Sequence, residues 1–248
     1  MLVTHSPRRP TRAIALLSLR RLAGFGLFAG LLVGLTLLAH HQPTHDLVRW
    51  TTDYSPARLV QGRVWTLPAS ALVLAHLKTV VGPSTLMLLA LLLPYVLARG
   101  TGRAATVFMS GHVLATLSVA GAVLVGLAFG LPGAVGVAHR VDVGASAGLA
   151  ATGGALAVVV ARRSSAIGLA VLTALFLFFL NGLLFLGGNG HGLTDVEHLV
   201  AVTVGATLEL SLPGRATDPE LSRARAAQPS ARHEGLRWAP CQGGTEHA

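Results

Sequence analysis

The chain has 248 residues, of which 52% are apolar and 12% are charged, and its mean hydropathy is +0.63. Soluble domains carry about a quarter charged residues, so this composition excludes an ordinary water-soluble protein, as well as disorder, collagen and coiled coil. The formal net charge of +9 would suit nucleic acid if the basic residues formed a stripe, but they flank the apolar runs. That pattern predicts an integral membrane protein, with the lipid bilayer as partner and no nucleic acid.

The first elements are a basic tail and a series of uncharged apolar runs. Residues 1–21 carry five arginines and no acid, which predicts a cytoplasmic tail. The runs that follow are long enough to cross the ~30 Å hydrocarbon core, and they predict six membrane-spanning helices within 22–212. These helices are expected at 22–39, 80–98, 104–130, 143–161, 164–187 and 194–212. Residues 213–248, rich in Ala, Arg, Pro, Gly and Ser, predict a disordered cytoplasmic tail.

The basic residues agree with this count. With six helices and the N-terminus inside, 14 of the 19 Lys and Arg residues fall on the cytoplasmic side, as expected for inner segments. We therefore expect a multi-pass protein of the plasma membrane with both termini cytoplasmic. The sequence favours no particular oligomeric state.

The outer segment 41–79 is too long for a hairpin connection and is predicted to be partly structured. Trp50, Tyr54 and Trp65 are aromatic residues typical of a membrane interface. The stretches 46–53 and 67–77 are expected to lie in the membrane surface.

No metal or other cofactor is predicted. His40, His41 and His45 lie near Asp46, but such clusters are typical of a solvated loop, and nothing else supplies a tetrahedral ligand set. The single cysteine, Cys241, excludes a cysteine-based metal cluster.

Ser146 is the first candidate for chemistry. It lies in the glycine-rich sequence VDVGASAGLAATGG at 141–154, where Asp142 is the predicted N-cap and Ser146 the fourth helical residue. Backbone N–H groups and the helix dipole at such a position can stabilise an oxyanion, with Gly144 and Ala147 as candidate oxyanion or substrate-binding residues. The simpler interpretation is close helix packing through small residues.

His198 is the second candidate. Thr194 and Glu197 have the S/T-x-x-E spacing of a capping box, which also makes His198 a fourth helical residue. Both predicted helices run inward, so Ser146 and His198 are expected on the same side, each roughly 6 Å along its helix axis. A serine nucleophile and its histidine base need this coincidence. Asp195 or Glu197 is a candidate to orient the histidine.

The two motifs together resemble those of the rhomboid family of intramembrane serine proteases. They are Gly144-Ala145-Ser146-Ala147 on the fourth span, and Glu197-His198-Leu199-Val200-Ala201 with Gly205 on the sixth. The resemblance covers about 22–212 and includes Gly62-Arg63-Val64-Trp65 before the second span. It implies an all-α, six-helix rhomboid-like bundle. It also implies a Ser146–His198 dyad that cleaves transmembrane or juxtamembrane segments of membrane-protein substrates.

The sequence departs from the family at the residues that support the dyad. The His and Asn that help hold the oxyanion on the family's second span align with Gly82 and Leu86, and the aromatic residue that packs on the histidine aligns with Ala150. These departures leave open a catalytically inactive rhomboid-like protein that binds membrane helices as clients. An unrelated channel or transporter is disfavoured, because the buried charge array and paired broken helices expected of one are missing from the sequence.

Three other polar features have alternative interpretations. His112 and Thr116 share a helix face and are candidate oxyanion donors, but a buried interhelical hydrogen bond is favoured because His112 lies about 12 Å from the start of its span. Glu209 is predicted to pair with Arg215 at the cytoplasmic surface. The glycine-rich stretch 187–192 is expected to be a flexible turn that lets the fifth span shift.

Overall fold

The computed structural model describes residues 12–74, 82–141, 144–186 and 192–212, and every regular element in these ranges is helical. The predicted all-α class is therefore confirmed. Residues 1–11, the predicted disordered tail 213–248, residues 187–191 of the predicted turn and the predicted N-cap Asp142 lie outside the described residues.

The described residues form ten helices. In chain order they are α1 Arg12–His40, α2 Gln42–Thr52, α3 Pro56–Val60, α4 Thr66–Ser70, α5 in three consecutive pieces Pro83–Met87, Leu88–Leu92 and Leu93–Arg99, α6 Thr101–Ala128, α7 Ala134–Ala138, α8 Ser146–Ala161, α9 Ser165–Asn181 with a π-helical end at Gly182–Leu186, and α10 Gly192–Ser211.

Three helices in the described ranges are long and apolar enough to cross a membrane: Ala15–His40, Thr101–Ala128 and Ser165–Leu184. Two further apolar helices, Ser84–Arg99 and Ser146–Ala161, are shorter. The 20-residue α10 has the length of a span but carries three acidic residues. The predicted first, third and fifth spans therefore match full-length apolar helices, whereas the predicted second, fourth and sixth are shorter or more polar.

Helix α1 begins ten residues before the predicted first span, so residues 12–21 of the predicted tail are helical. Leu, Ala and Arg dominate this stretch and are strong helix formers, which explains why the helix does not stop at the apolar boundary. The side chain of Arg21 donates a hydrogen bond of 2.5 Å to the carbonyl oxygen of Leu97. This contact ties the first turns of α1 to the last turn of α5.

The middle of α5 is a wider π-helical segment, Leu88–Leu92, directly before Pro94. Proline has no N–H to donate, and its ring clashes with the carbonyl four residues earlier in a regular α-helix. A local widening of the helix accommodates such a residue. The helix thus continues past Pro94 and buries Leu92 and Tyr95 in the core.

The prediction that 67–77 lies in the membrane surface is wrong for its described part, because this part packs inside the bundle. Ala71 and Leu74 belong to the main core. The Leu74 N–H donates to Thr36 Oγ1 at 2.9 Å, and the Ala145 N–H donates to the Val73 carbonyl at 3.1 Å. Irregular backbone is tolerated among helices where its polar groups are satisfied in this way.

The aromatic residues of the outer segment divide into two kinds. Trp50 and Trp65 are about half exposed and lie against each other, with ring centroids 5.6 Å apart, and the Arg63 guanidinium lies 5.7 Å from the Trp50 ring. Tyr54 is 2% exposed and packs in a small cluster that includes Ala120. The two tryptophans therefore have the exposure that an interfacial position requires, whereas Tyr54 does not.

Helices α8 and α10 pack very closely, with their backbones in contact. A Cβ atom at Gly154 would collide with the Val202 carbonyl oxygen, and one at Gly205 would collide with the Ala151 carbonyl oxygen. In both places the obstacle is backbone, which cannot rotate away. Glycine at these two positions allows the close approach, as in other small-residue helix interfaces.

We expect Gly205→Ala to destabilise the fold by about 1–3 kcal/mol, because the added methyl group must push α10 away from α8. The measurement is the thermal unfolding midpoint of the purified protein in detergent. Gly121→Ala is the matched control, since a Cβ at Gly121 in α6 would meet no atom within 4 Å. Equal midpoints for the two variants would contradict the close packing described above.

Candidate active site

The packing of α8, α9 and α10 determines which residues lie at the same height along the axis of the bundle. Ala161 near the end of α8 lies against Gly168 near the start of α9, and Gly182 at the end of α9 lies against Asp195 near the start of α10. Both neighbouring pairs are therefore antiparallel. It follows that α8 and α10 are parallel and begin at the same end of the bundle.

Ser146 is the first residue of α8, with Ala145 at the N-cap. The prediction that Ser146 is the fourth helical residue is wrong, because the Ala145 N–H is bonded to the Val73 carbonyl and neither Gly144 nor Ala145 is helical. The N–H groups of Ser146, Ala147 and Gly148 are first-turn donors with no acceptor inside the helix. A Cβ at Gly144 would lie 3.3 Å from Ser146 Oγ, so glycine leaves room for the serine hydroxyl.

His198 is the seventh residue of α10, because the helix begins at Gly192, two residues before the predicted N-cap Thr194. Its side chain is 11% exposed, and its ring lies against the ring of Phe179 from α9, with centroids 4.6 Å apart and planes inclined by 34°. The Nδ1 atom of His198 is 4.0 Å from Asp195 Oδ1. A Cβ at Gly182 would lie 2.8 Å from the same carboxylate, so this glycine provides space for it.

Ser146 and His198 lie on neighbouring parallel helices at similar depth. Gly153 of α8 lies against Leu175 of α9, so Phe179, four residues further, is level with the second turn of α8. The direct contacts of Gly154 with Val202 and of Gly205 with Ala151 set a register that puts Ser146 level with the Glu197–His198 turn of α10. The two side chains do not form a hydrogen bond with each other among the described contacts.

Glu197 and Thr116 form a buried polar pair beside His198. Thr116 Oγ1 donates a hydrogen bond to Glu197 Oε1, and the two residues are 2% and 4% exposed. Both line a cavity of about 50 Å³, whose wall also includes Tyr54, Thr194 and Arg140. Glu197 is thus an anchor between α10 and α6 as well as a neighbour of the histidine.

His112 makes a buried interhelical hydrogen bond, the interpretation favoured from the sequence. Its Nε2 lies 2.9 Å from Ser70 Oγ and 3.2 Å from the Leu67 carbonyl oxygen, and both His112 and Ser70 are almost fully buried. These contacts join α6 to α4. His112 is therefore bonded to Ser70, and Thr116 to Glu197, and neither contact is to an oxyanion position at Ser146.

Sequence reasoning missed two of these contacts. Ser70 lies in a stretch of alternating apolar and small residues that offers no distinguishing signal. Phe179 is one of several phenylalanines near the end of α9, and its helical spacing from the others does not show which one faces His198. The position that aligns with the family's aromatic residue is Ala150 on α8, which is buried in the same apolar cluster as Ala201.

Glu209 has three described partners that the sequence did not predict. It is completely buried and contacts Arg99, Arg103 and Arg162, whereas Arg215 lies outside the described residues. Sequence reasoning assigned Glu209 to the nearest arginine along the chain and to the surface.

Within the described ranges no group of three or more His, Cys, Asp or Glu residues is placed to hold a metal ion. His45 Nδ1 pairs with Asp46 Oδ1 at 2.9 Å on the exposed surface.

Comparisons with protein-family models, with curated proteins and with solved structures find no match to this chain.

We expect Thr116→Val to lower stability by about 1–3 kcal/mol, because the buried Glu197 carboxyl group loses a hydrogen-bond donor without any change in side-chain volume. The thermal unfolding midpoint in detergent measures this effect. Thr203→Val is the control, since the exposed Thr203 hydroxyl bonds only the Leu199 carbonyl of its own helix. A Thr116→Val midpoint no lower than that of the control would show that the Thr116–Glu197 bond adds nothing to stability.

Proposed function

We propose that the chain is a rhomboid-like intramembrane serine protease whose nucleophile is Ser146 and whose general base is His198. The observation that supports this proposal most is that Ser146 and His198 lie at the same end of the bundle. They are carried at similar depth by α8 and α10, which are parallel and closely packed. In this proposal the three full-length apolar helices, together with α5, α8 and α10, form six membrane spans with both termini in the cytoplasm.

The proposed reaction proceeds through an acyl-enzyme. His198 Nε2 takes the proton of Ser146 Oγ while the oxygen attacks the carbonyl carbon of the scissile peptide bond. The tetrahedral intermediate collapses, and the protonated histidine gives the proton to the departing amine. Water then attacks the acyl-enzyme with His198 again as base, which releases the carboxylate product and regenerates the serine.

The surroundings of His198 support its proposed role. Asp195 lies on the Nδ1 side of the ring, where a carboxylate favours the tautomer that leaves Nε2 to accept a proton. Phe179 packs on the ring face and restricts its rotation. In the family an aromatic residue packs on the histidine from the position that is Ala150 here. Phe179 of α9 takes over that contact.

Backbone groups at the start of α8 are the proposed oxyanion donors. Because Ser146 is the first helical residue, the N–H groups of Ser146, Ala147 and Gly148 lie next to the nucleophile at the positive end of the helix dipole. Such preorganised donors are a large contribution to acyl-transfer catalysis. We assign no oxyanion contact to His112 or Thr116, whose described bonds go to Ser70 and Glu197.

The proposal also requires a closing movement, since Ser146 and His198 are not hydrogen-bonded to each other. Catalytic hydrogen bonds are often long before substrate binds and shorten in the complex. Helix α9 is the element that faces outward beside the site, with a largely exposed apolar surface.

A fluorophosphonate probe tests the nucleophile in the reconstituted full chain. We expect covalent labelling of the wild-type protein and none of Ser146→Ala, because the probe reacts only with an activated serine. His198→Ala should slow labelling by at least about 100-fold, the contribution typical of a general base. Ser118→Ala is the matched control, since the exposed Ser118 hydroxyl bonds the Leu114 carbonyl in α6.

Labelling that persists in Ser146→Ala would contradict the assignment of the nucleophile.

Phe179→Leu should keep Ser146 labelling but slow it, because the histidine ring then has no flat surface against it. An unchanged labelling rate in Phe179→Leu would show that Phe179 has no role in activating Ser146.

A second candidate function is binding of membrane helices without cleavage. The observation that favours it is that Gly82 and Leu86 stand where the family has its oxyanion donors, while His112 and Thr116 are bonded to Ser70 and Glu197. If the wild-type protein takes no fluorophosphonate label, and Ser146→Ala retains the cellular phenotype of the wild type, this second function is the better account.

A further inference from the structure

A single peptide group connects α1 with the start of α8. The Leu74 N–H donates to Thr36 Oγ1 at 2.9 Å, and the Val73 carbonyl oxygen accepts from the Ala145 N–H at 3.1 Å. The Val73 carbonyl and the Leu74 N–H belong to the same peptide group, which we call the 73–74 peptide. One end of this group is therefore held by the side chain of Thr36, and the other end holds the residue before Ser146.

The 73–74 peptide can transmit an orientation because it is rigid. A peptide bond is planar, and every peptide bond in the described ranges is trans, so the N–H and the C=O of the group point in opposite directions. Rotation is possible only about the single bonds on either side of the plane. A hydrogen bond at the N–H therefore restricts the direction in which the carbonyl oxygen meets its own donor.

Thr36 is a well-defined anchor for this peptide. It is completely buried near the end of α1, and its hydroxyl donates to the Leu32 carbonyl of the same helix at 2.7 Å. That bond fixes the hydroxyl hydrogen and leaves a lone pair of Oγ1 for the Leu74 N–H. Val73 and Leu74 are each 3% exposed, so the 73–74 peptide is shielded from bulk water. Hydrogen bonds that follow one another in such surroundings strengthen each other.

Ala145 passes this orientation to the nucleophile. It is completely buried, its N–H is bonded to Val73, and its carbonyl oxygen accepts the Leu149 N–H at 3.0 Å in the first turn of α8. The Ala145 carbonyl shares a peptide plane with the Ser146 N–H. Because Ala145 is bonded on both sides, the direction of the Ser146 N–H, the first of the proposed oxyanion donors, is set by these contacts.

We propose that Thr36 is a positioning residue for Ser146 and acts through the 73–74 peptide and Ala145. Its hydroxyl keeps the first N–H groups of α8 aimed at the oxyanion that forms when Ser146 attacks a carbonyl. This inference rests on the protease function proposed above. It adds to that function a residue of the first helix that needs no contact with the substrate.

Fluorophosphonate labelling of the reconstituted full chain measures the effect on the nucleophile. Thr36→Val removes the hydroxyl with little change in side-chain volume. It should lower the labelling rate constant by about 10- to 100-fold, since a misplacement of roughly 1 Å can cost up to about 100-fold. Thr36→Ser keeps the hydroxyl and should label as fast as the wild type. A variant that merely loses stability labels a smaller fraction of the protein at an unchanged rate constant.

Thr152→Val is the matched control. Thr152 is also completely buried and lies on α8, nearer in the chain to Ser146 than Thr36 is, but its hydroxyl bonds the Leu149 carbonyl of its own helix. We expect the wild-type rate constant from this variant. Equal rate constants for Thr36→Val and Thr152→Val would overturn the proposal.

A further substitution decides the question if Thr36→Val does not fold. Sulfur is a weak hydrogen-bond acceptor, so Thr36→Cys should label more slowly than Thr36→Ser. Equal rate constants for the cysteine and serine variants would overturn the positioning role.

Hydrogen–deuterium exchange tests the same contacts without any activity. The Ala145 amide should exchange about fivefold faster in Thr36→Val than in the wild type, since a buried hydrogen bond contributes about 1 kcal/mol, and Thr152→Val should leave it unchanged. Faster exchange in Thr36→Val together with an unlabelled wild type would contradict the protease function and leave the role of the 73–74 peptide intact. Unchanged exchange in Thr36→Val would overturn the positioning role, whatever the labelling shows.

Discussion

The close contact between α8 and α10 is the constraint on which the rest of the described structure depends. Gly154 and Gly205 bring two backbones together, and this places the first turn of α8 beside the second turn of α10. The candidate nucleophile and base are carried to the same end as a result. At the other end, the same parallel arrangement brings Arg162 to Glu209. One packing contact therefore positions both polar sites.

The two ends of the bundle handle polar groups differently. Around His198 the described contacts are an aromatic ring, a carboxylate at 4.0 Å and a threonine–glutamate pair nearby. Around Glu209 three guanidinium groups meet one carboxylate, and α5, α6, α8 and α10 all contribute to the network. The second arrangement holds helix ends together through charge.

Hydropathy and charge in the sequence were sufficient to predict the helical class and the approximate positions of the apolar helices. The helix starts were less predictable, because a tertiary hydrogen bond from Ala145 to Val73 decides where α8 begins and no local capping signal reports it. Phe179 and the partners of Glu209 were missed for a related reason. Several phenylalanines and arginines are chemically equivalent in the sequence, and only the packing of distant segments selects among them.

The bond between Ala145 and Val73 has a consequence for how the site assembles. It joins parts of the chain that are separated by all of α5, α6 and α7, so it closes a long loop. Closing such a loop costs chain entropy, which the packing of the three intervening helices offsets. We therefore expect the backbone groups next to Ser146 to take their final orientation only together with the bundle that surrounds them.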